Sequence, residues 1–271
     1  MASEEQKAKQ EKLESILREL GSAVLAFSGG VDSAYLLHEA RKVLGDHVLP
    51  VTLKLASVPE REIADAVSFC RERKISHRVL PLNQFAVPGF TDNPPDRCYL
   101  CKHALFASLV RLAEGEGFAQ VIDGTNLDDA SQYRPGLRAL AELCIRSPLR
   151  EAGLRKEDIR ALSKEEGLPT WSKPAFACMA TRFRYREGIT GEKLSMVEAA
   201  EDFLFREGFA QFRVRFYDGD MARIEVPPAD LPRLFGLRDQ LVPALKALGF
   251  RYITLDLEGY RMGSMDECLK K

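Results

Sequence analysis

The hexapeptide SGGVDS, residues 28–33, combines residue types that bind phosphate. Two glycines, Gly29 and Gly30, let the backbone approach an anion closely, and the hydroxyls of Ser28 and Ser33 add further donors. A helix that begins here would direct its free N–H groups and the positive end of its dipole at the anion. A Gly-Gly pair alone is also typical of a tight turn capped by Asp or Ser. Because the hexapeptide follows an apolar run and opens a helical pattern, phosphate binding is favoured.

A second polar segment follows another apolar run, within IDGTNLDDASQYRPGLRA. Its candidate ligands are Asp123, Asn126, Asp128 and Asp129. Open parallel sheets bind ligands outside the carboxyl ends of their strands, where this segment would lie. These side chains could hold magnesium and ribose, and the alternative is a polar turn rich in Asn and Asp. Together with Asp32 of the phosphate loop, the segment predicts a nucleotide site.

Two cysteines three positions apart, Cys98 and Cys101, indicate a different chemistry. Such a pair could be half of a zinc site completed by His103 or Cys144, a redox dithiol, part of an iron–sulfur site, or two unrelated thiols. Residues three apart on a helix lie side by side, so both thiolates could reach one metal centre. Six cysteines in a chain of this length do not indicate a disulfide framework.

The elements that must position these residues follow from hydrophobic periodicity. Short apolar runs predict four strands, in SAVLAF, HVLPVTLKLA, ISHRVLPL and AQVIDG. Helical patterns alternate with these runs, over residues 9–20, from the phosphate loop through Val43, along the face formed by Ile63, Ala66, Val67 and Cys70, and over residues 98–115. Strands that alternate with helices predict an α/β domain, in which helices cover both faces of a parallel sheet.

After residue 180 the alternation ends and a different pattern begins. An amphipathic helix over 191–207 precedes a hairpin in FRVRFYDGDMARIEV, which turns at Asp218–Gly219–Asp220. Another helix over 229–248 and a strand in YITLDL complete the chain. We therefore predict two domains, an α/β domain over 1–184 and a smaller C-terminal α+β domain over 185–271.

Composition restricts the classes of function. The 271 residues are 45% hydrophobic and 29% charged, which is typical of a globular protein large enough for two cores. A net charge of −1 argues against a general nucleic-acid binder. No apolar run approaches the roughly 18 residues of a membrane span, and MASEEQKAKQEK lacks the apolar stretch of a secretory signal. We expect a cytoplasmic protein with neither a membrane nor a nucleic-acid partner.

Several motifs resemble known families. FSGGVDS resembles the pyrophosphate loop (PP-loop) of the N-type ATP pyrophosphatases, which include NAD synthetase, GMP synthetase and tRNA thiolation enzymes. QYRPGLRA, FACMATRF, RVRF and YITLDL together resemble the LarE family over almost the whole chain. LarE proteins are ATP-dependent sulfur transferases that thiolate two carboxylates of a pyridinium mononucleotide, an intermediate of the nickel-pincer nucleotide cofactor of lactate racemase.

This resemblance implies a fold, ligands and partners. The fold is that of the PP-loop ATP pyrophosphatases, which is similar to the adenine nucleotide alpha hydrolases. The implied ligands are ATP and Mg²⁺, with AMP and pyrophosphate as products. The substrate would be a pyridinium-3,5-biscarboxylic acid mononucleotide, handled with the help of a C-terminal domain for substrate binding and sulfur transfer. A homo-oligomer is expected, and the resemblance leaves the sulfide donor open.

The resemblance also implies a source of sulfur. Cys178, in FACMATRF, occupies the position at which one branch of the family gives up its own sulfur and ends as dehydroalanine. In the other branch two further cysteines join it as ligands of an iron–sulfur cluster, and Cys98 and Cys101 match those positions. We therefore predict a 4Fe–4S cluster on three thiolates, whose remaining iron could hold sulfide as a nucleophile. Transfer of the sulfur of Cys178 without a cluster is the alternative.

The resemblance also implies a substrate site lined by positively charged side chains. Arg213 and Arg215 lie two apart on one predicted strand and so share a face, where guanidinium groups would suit a phosphate; the alternative is a solvated strand face. Arg134, Arg182 and Glu201 fall at family-like positions, with Glu201 as a base or metal contact. Two other functions remain open, a tRNA thiolation enzyme with the same loop and a non-catalytic nucleotide-binding or zinc-stabilised interaction protein.

Overall fold

The computed structural model describes residues 3–131, 135–174, 177–261 and 263–265. Contacts between Cα atoms divide the chain into two compact units. The first comprises Met1–Val87 and Asp96–Ala175, and the second comprises Pro88–Pro95 and Phe176–Lys271. The sequence did not indicate that Pro88–Pro95 would group with the C-terminal part of the chain. The domain limits 1–184 and 185–271 stay a prediction.

Four parallel strands form the sheet of the first unit, in the order β3–β2–β1–β4. The strands are β1 Ala23–Ala26, β2 Val48–Lys54, β3 Arg78–Pro81 and β4 Gln120–Ile122. In β1, Ala23 is in register with Val48 of β2 on one side and with Gln120 of β4 on the other. Each strand lies within one of the four apolar runs, so the predicted parallel sheet is confirmed.

Seven α-helices belong to the described part of the first unit. They are α1 Glu4–Leu20, α2 Val31–Leu44, α3 Glu60–Glu72, α4 Arg97–Glu116, α5 Gly136–Glu142, α6 Pro148–Glu151 and α7 Lys156–Glu165. Helix α1 begins earlier than the predicted residue 9, because the Ser3 side chain accepts a hydrogen bond from the backbone N–H of Gln6 and the Gln6 side chain bonds back to Ser3. This reciprocal cap satisfies N–H groups that would otherwise have no partner.

Helices cover both faces of the sheet, as predicted. Leu25 and Val24 are neighbours in β1 and point to opposite faces. Leu25 belongs to a core that includes residues of α1, α2, α3 and α7, whereas Val24 belongs to a core that includes residues of α4 and α5. Cys70 lies in the first of these cores, is 1% exposed, and has its pKa raised by burial to about 12. Its prediction as a core residue is confirmed.

The second unit contains a three-stranded mixed sheet in the order β5–β6–β7. The strands are β5 Arg213–Tyr217, β6 Met221–Glu225 and β7 Tyr252–Leu255. Strands β5 and β6 form the predicted antiparallel hairpin, and Asp218 and Gly219 in its turn both have positive φ, at 53° and 87°. Positive φ is typical of tight hairpin turns. Strand β7 pairs in parallel with β6.

The helices of the second unit differ in one respect from the prediction. Helix α8, Gly191–Arg206, matches the expected element. The single helix expected over 229–248 is instead two helices, α9 Leu231–Gly236 and α10 Arg238–Ala247. The break falls at Leu237, directly after Gly236, because glycine disfavours a continuous helix. None of the helices in the described ranges combines the length and apolar character that a membrane span requires.

Candidate functional site

The phosphate loop, residues 28–33, follows β1 and includes the first turn of α2. The hydroxyl oxygens of Ser28 and Ser33 are 3.0 Å apart, and the Ser33 hydroxyl donates to the carbonyl of Gly30 at 3.2 Å. The N–H groups of Ser28 and Gly30 donate to Ser33 Oγ and Ser28 Oγ, both at 3.3 Å. The loop therefore closes on itself at the N-terminus of a helix of 14 residues, whose positive dipole end suits an anion.

Two glycines permit close backbone approaches around this loop. Gly29 has a φ of +69°, and a Cβ atom there would lie 3.1 Å from the Cβ of Ala66 on α3. Both the backbone conformation and the neighbouring helix therefore require glycine. A Cβ atom on Gly124, just after β4, would lie 3.0 Å from the backbone nitrogen of Ser33. The segment after β4 thus lies against the first turn of α2.

These two segments meet where the strand order reverses. The chain continues from β1 to β2 on one side, whereas β4 pairs with β1 on the other side. Connections leave the sheet in opposite directions at such a point, so a crevice opens outside the carboxyl ends of the two strands. The phosphate loop and the segment that begins at Asp123 border this crevice.

Asp32 and Lys156 form an ion pair beside the phosphate loop. Nζ of Lys156, the first residue of α7, is 2.5 Å from Oδ2 of Asp32 in the first turn of α2. Burial raises the pKa of Asp32, and the charge of Lys156 opposes this effect. The nearby Asn126 also acts to lower the pKa of Asp32. Within the described residues, however, no donor makes a hydrogen bond of ordinary geometry to the buried Oδ1 of Asp32. A buried carboxylate oxygen without a donor suits a bound cation such as Mg²⁺.

Asp123 has both carboxylate oxygens engaged by hydroxyl groups. Ser147 Oγ donates to Oδ1 at 2.7 Å, and Thr125 Oγ1 donates to Oδ2. The side chain is 6% exposed. In this arrangement Asp123 organises the turn that follows β4 and ties it to the residue before α6.

The other polar residues of this segment bind backbone and basic groups. Asn126 Oδ1 accepts a hydrogen bond from the N–H of Asp128, and Asp129 Oδ2 accepts one from the N–H of Asn126. Asp128 accepts hydrogen bonds at 2.8 Å from Arg155 Nη1 and from the backbone N–H of Lys156. Asp128 therefore fixes the start of α7 and, with it, the position of Lys156 opposite Asp32. Arg134 lies outside the described residues.

Lys156 is the residue of this site that sequence analysis missed. It lies 124 residues from its partner Asp32. A signal was present in the chain, since a lysine in the first turn of a helix faces the positive end of the helix dipole, where a cation is disfavoured. Such a placement indicates a compensating anion or a functional role.

Cys98 and Cys101 lie one turn apart at the start of α4, and both are partly buried. Gln84 Nε2 donates to Cys101 Sγ at 3.1 Å, while Gln84 Oε1 accepts from the N–H of Ser57 at 2.9 Å. The Arg97 guanidinium reaches Cys98 Sγ at 3.8 Å. Hydrogen-bond donors therefore lie beside both sulfurs, which is an environment suited to thiolate ligands of a cluster.

The zinc alternative for this pair is not assembled in the first unit. Among its described residues, Cys98 and Cys101 form no group with His103 or Cys144 in which all ligand atoms lie within 4.8 Å of one another. His103 lies two positions after Cys101, so it points to a different side of α4.

In the second unit, Cys178 is exposed and precedes the short 3₁₀ helix Met179–Arg182. Its carbonyl accepts hydrogen bonds from the N–H and the hydroxyl of Thr181, at 2.9 and 2.8 Å. The backbone that carries this cysteine is thus fixed by a local turn. Its thiol is accessible to a reactant.

Arg182 and Glu201 form a buried ion pair in the second unit, each with 1% or less of its side chain exposed. Arg182 donates from Nε to Oε1 at 2.6 Å and from Nη2 to Oε2 at 3.0 Å. The N–H of Val214 in β5 also donates to Glu201 Oε1. Burial acts to raise the pKa of Glu201, but the charge and hydrogen bonds of Arg182 outweigh burial and lower it. Glu201 is therefore an anion that holds Arg182 and β5 in place, and its role as a base or metal contact stays a prediction.

Arg213 and Arg215 are each 4% exposed, so the alternative of a solvated strand face is wrong. Arg215 donates from Nε and Nη2 to the two oxygens of Glu225, both at 2.9 Å, and from Nη1 to the carbonyl of Thr181 at 2.7 Å. Arg213 donates to its neighbour's carbonyl and lies 5.1 Å from the ring centroid of Tyr260. Burial, with a smaller contribution from the charge of Arg182, lowers the pKa of Arg213 to about 10.

Three arginines of this unit form a buried cluster, which we call the arginine cluster. Among the described residues, the guanidinium groups of Arg182, Arg213 and Arg215 lie near the carboxylates of Glu201 and Glu225. Guanidinium groups suit a phosphate, to which they donate charge-assisted hydrogen bonds.

Curated relatives match almost the whole chain, although no protein-family model matches it. A pyridinium-3,5-bisthiocarboxylic acid mononucleotide synthase of Lactiplantibacillus plantarum is 38% identical over 264 residues, which cover 97% of this chain and 95% of the relative. An uncharacterized protein of Synechocystis sp. is 41% identical over 268 residues, covering 97% and 99%. A subunit of a glutamine-hydrolyzing GMP synthase of Thermoplasma volcanium is 27% identical over 203 residues, covering 69% and 64%.

Proposed function

This chain belongs to the LarE family, that of the pyridinium-3,5-bisthiocarboxylic acid mononucleotide synthase, and is an ATP-dependent enzyme; we propose that it inserts sulfur into the carboxylates of a pyridinium-3,5-biscarboxylic acid mononucleotide. The observation that carries the proposal is the phosphate loop at the β1–β4 reversal, with the buried Asp32 oxygen and Lys156 beside it. This arrangement suits an enzyme that cleaves ATP at its α-phosphate.

The first step of the proposed reaction activates a carboxylate. A substrate carboxylate oxygen attacks the α-phosphorus of ATP, the bond to the β-phosphate oxygen breaks, and pyrophosphate leaves. The N–H groups at the start of α2 and the hydroxyls of Ser28 and Ser33 bind the departing phosphates. Asp32 would hold Mg²⁺, which when bound supplies positive charge to these phosphates. Lys156 would then exchange its contact with Asp32 for one with phosphate.

The second step replaces oxygen by sulfur. A sulfide nucleophile attacks the acyl carbon, a C–S bond forms, and the C–O bond to AMP breaks, so that AMP leaves with the electron pair and a thiocarboxylate remains. We assign Asn126 and Asp129 to the ribose or Mg²⁺, and Asp123 and Asp128 to the shape of their turn. The guanidinium groups of the arginine cluster would bind the phosphate of the mononucleotide.

For the sulfur source we propose a 4Fe–4S cluster held by Cys98, Cys101 and Cys178. The pair at the start of α4 fits two ligands of one cluster, since its sulfurs lie one turn apart beside donors. The exposed thiol of Cys178 supports its role as a third ligand or as a direct sulfur donor. When bound, the cluster would supply an iron without a protein ligand, at which sulfide can be held.

The test of the ATP step measures products from ATP and the pyridinium biscarboxylic acid mononucleotide. We expect AMP and pyrophosphate, and we expect Asp32→Asn to slow pyrophosphate release by about 10²–10³-fold, as loss of a charge-stabilising group in an active site does. Asp46→Asn is the matched control, because Asp46 follows α2 and its side chain is 94% exposed. Formation of ADP and phosphate would contradict the proposal.

The test of the sulfur source uses protein purified without oxygen. We expect iron and acid-labile sulfide in the wild-type protein, their loss in Cys98→Ser and Cys101→Ser, and their retention in Cys144→Ser, whose cysteine is exposed. Repeated turnover with added sulfide should leave Cys178 intact by mass spectrometry. Dehydroalanine at Cys178 after one turnover, with Cys98→Ser still active, would contradict the cluster proposal and would show that Cys178 donates its own sulfur.

A further inference from the structure

Another group of metal-binding side chains lies at the end of α2 opposite the phosphate loop. His38 and Glu39 belong to the C-terminal half of α2, and Glu166 directly follows α7. One ligand atom of each lies within 4.8 Å of the others, and within the described ranges no other group of three His, Cys, Asp or Glu side chains meets this condition. None of the three was assigned to the ATP or sulfur chemistry above.

Glu39 is the buried member of this group, with 0% of its surface exposed. Its Oε1 accepts hydrogen bonds at 3.3 Å from Gln10 Nε2 and from Lys42 Nζ. Its Oε2 is buried and has no hydrogen-bond partner among the described residues. A buried carboxylate oxygen without a donor is destabilising unless a cation or proton compensates it.

The other two residues contact each other, and Lys42 joins the two carboxylates of the group. Lys42 Nζ donates to Glu166 Oε1 at 2.6 Å, so the lysine binds Oε1 of both carboxylates. His38 Nε2 and Glu166 Oε2 are 3.2 Å apart. A cation could bind the His38 imidazole together with one oxygen of Glu39 and one of Glu166, since one ligand atom of each residue lies within 4.8 Å of the others, while Lys42 orients the carboxylates.

A cleft rich in carboxylates lies beside Glu166. Glu166 and Gln10 line a cavity of about 380 Å³, together with three further carboxylates, those of Glu11, Glu14 and Glu165, and one lysine, Lys7. Several carboxylates around one opening produce a negative potential, which raises the local concentration of cations. Gln10, which also lines the cleft, donates to Glu39, so the buried carboxylate lies one side chain away from the opening.

We propose that His38, Glu39 and Glu166 bind one divalent transition-metal cation, of which Zn²⁺ is the natural probe. An imidazole with two carboxylates favours zinc over magnesium or calcium, which prefer oxygen ligands alone. Three protein ligands leave a further position for water. The ion joins α2, which carries the phosphate loop at its start, to the end of α7, which carries Lys156 at its start. Its occupancy therefore stabilises the pair of helices that present Asp32 and Lys156 to each other.

The test is calorimetric titration with ZnCl₂ of the full chain in a Cys98→Ser/Cys101→Ser/Cys144→Ser/Cys178→Ser background, which removes the cluster cysteines and the exposed Cys144. We expect one zinc ion per chain and a higher unfolding temperature with zinc present. Adding Glu39→Gln should weaken zinc binding at least tenfold, because the amide keeps the contacts with its neighbours but loses the charged ligand. His38→Ala should do the same.

The matched control is His103→Ala in the same background, since His103 is a partly buried histidine of α4 outside the group. It should bind zinc like the background. Circular dichroism establishes that each variant is folded, and His38→Gln replaces His38→Ala if the latter is not. Absence of zinc binding in the background, or equal zinc affinity in Glu39→Gln and the control, would overturn the proposal.

Discussion

The carboxylate of Asp32 is held in an environment that opposes its charge. Burial raises its pKa and the charge of Lys156 only partly compensates. A pKa raised in the folded state contributes stability below the unfolded-state pKa, near 3.8, and that stability is lost as the pH rises through the folded-state value. At neutral pH Asp32 therefore costs stability. Such a cost is typical of a side chain retained for function.

Lys156 gives a specific prediction at this position. Lys156→Met should weaken ATP binding by about 1.5–3 kcal/mol, because a charge-assisted contact to phosphate is lost. Lys164→Met is the matched control, since Lys164 lies on the same helix and its ammonium lies over the Trp171 ring instead. Isothermal titration with ATP and Mg²⁺ measures both. Equal losses in the two variants would mean that only the net charge of α7 matters.

At the scale of helices and strands, the nucleotide site depends on close backbone contacts between neighbouring segments. The loop between β1 and α2 lies against α3 at Gly29, and the segment after β4 lies against α2 at Gly124. Helix α7 is in turn fixed by Asp128, which receives the N–H of Lys156. Four segments distant in the sequence thus meet beside the carboxyl ends of the strands, and glycines make two of the contacts possible.

Gly21 and Gly29 have nearly the same φ but different surroundings, so substituting each by alanine distinguishes the cost of backbone strain from the cost of a steric contact. Gly21→Ala, at φ +70° with no atom within 4 Å of the added Cβ, should cost about 1–2 kcal/mol for the left-handed conformation alone. Gly29→Ala, at φ +69°, should cost more, because its Cβ meets Ala66, and should also abolish pyrophosphate release. Urea denaturation and the product assay measure the two effects. Equal stability and activity in both variants would contradict the role of the Ala66 contact.

Both compact units of the molecule rely on carboxylates paired with arginine. In the first unit hydrogen bonds from Arg146 lower the pKa of Glu151, and in the second the buried Glu201 keeps a lowered pKa through Arg182. A lowered pKa contributes stability above the unfolded-state value of 4.5, and this stability is lost as the pH falls through the folded-state value. Acid should therefore weaken both units.

Removal of one pair makes this dependence measurable. The free energy of unfolding of the wild-type protein, from urea denaturation, should fall steeply in buffers below pH 4.5, the ordinary pKa of these glutamates. Arg182→Met/Glu201→Leu should show a shallower fall and near-normal stability at neutral pH, because apolar replacement of a buried pair is often neutral. Arg182→Met alone should cost about 3–5 kcal/mol by leaving Glu201 buried and unpaired. An unchanged pH dependence in the double variant would contradict the assignment to this pair.

The features that consecutive residues encode were predictable from the sequence. Apolar runs and helical periodicity determined the four parallel strands, the hairpin at Asp218–Gly219–Asp220 and the burial of Cys70, because each pattern reports which side of an element faces away from water. The order of residues in SGGVDS likewise indicated a turn that opens a helix, since its glycines, hydroxyls and helix start are adjacent in the chain; its role in phosphate binding stays a prediction.

Only the tertiary structure decided which of these faces meet. It paired Asp32 with Lys156, 124 residues away, and it buried Arg182 against Glu201. It also buried the two arginines of β5, Arg213 and Arg215, which share a cluster with Arg182. It also placed the break at Leu237 and grouped Pro88–Pro95 with the second unit. Periodicity predicts that a side chain is buried. Its contact partner depends on packing between distant segments, and local sequence patterns do not predict the energy of that packing.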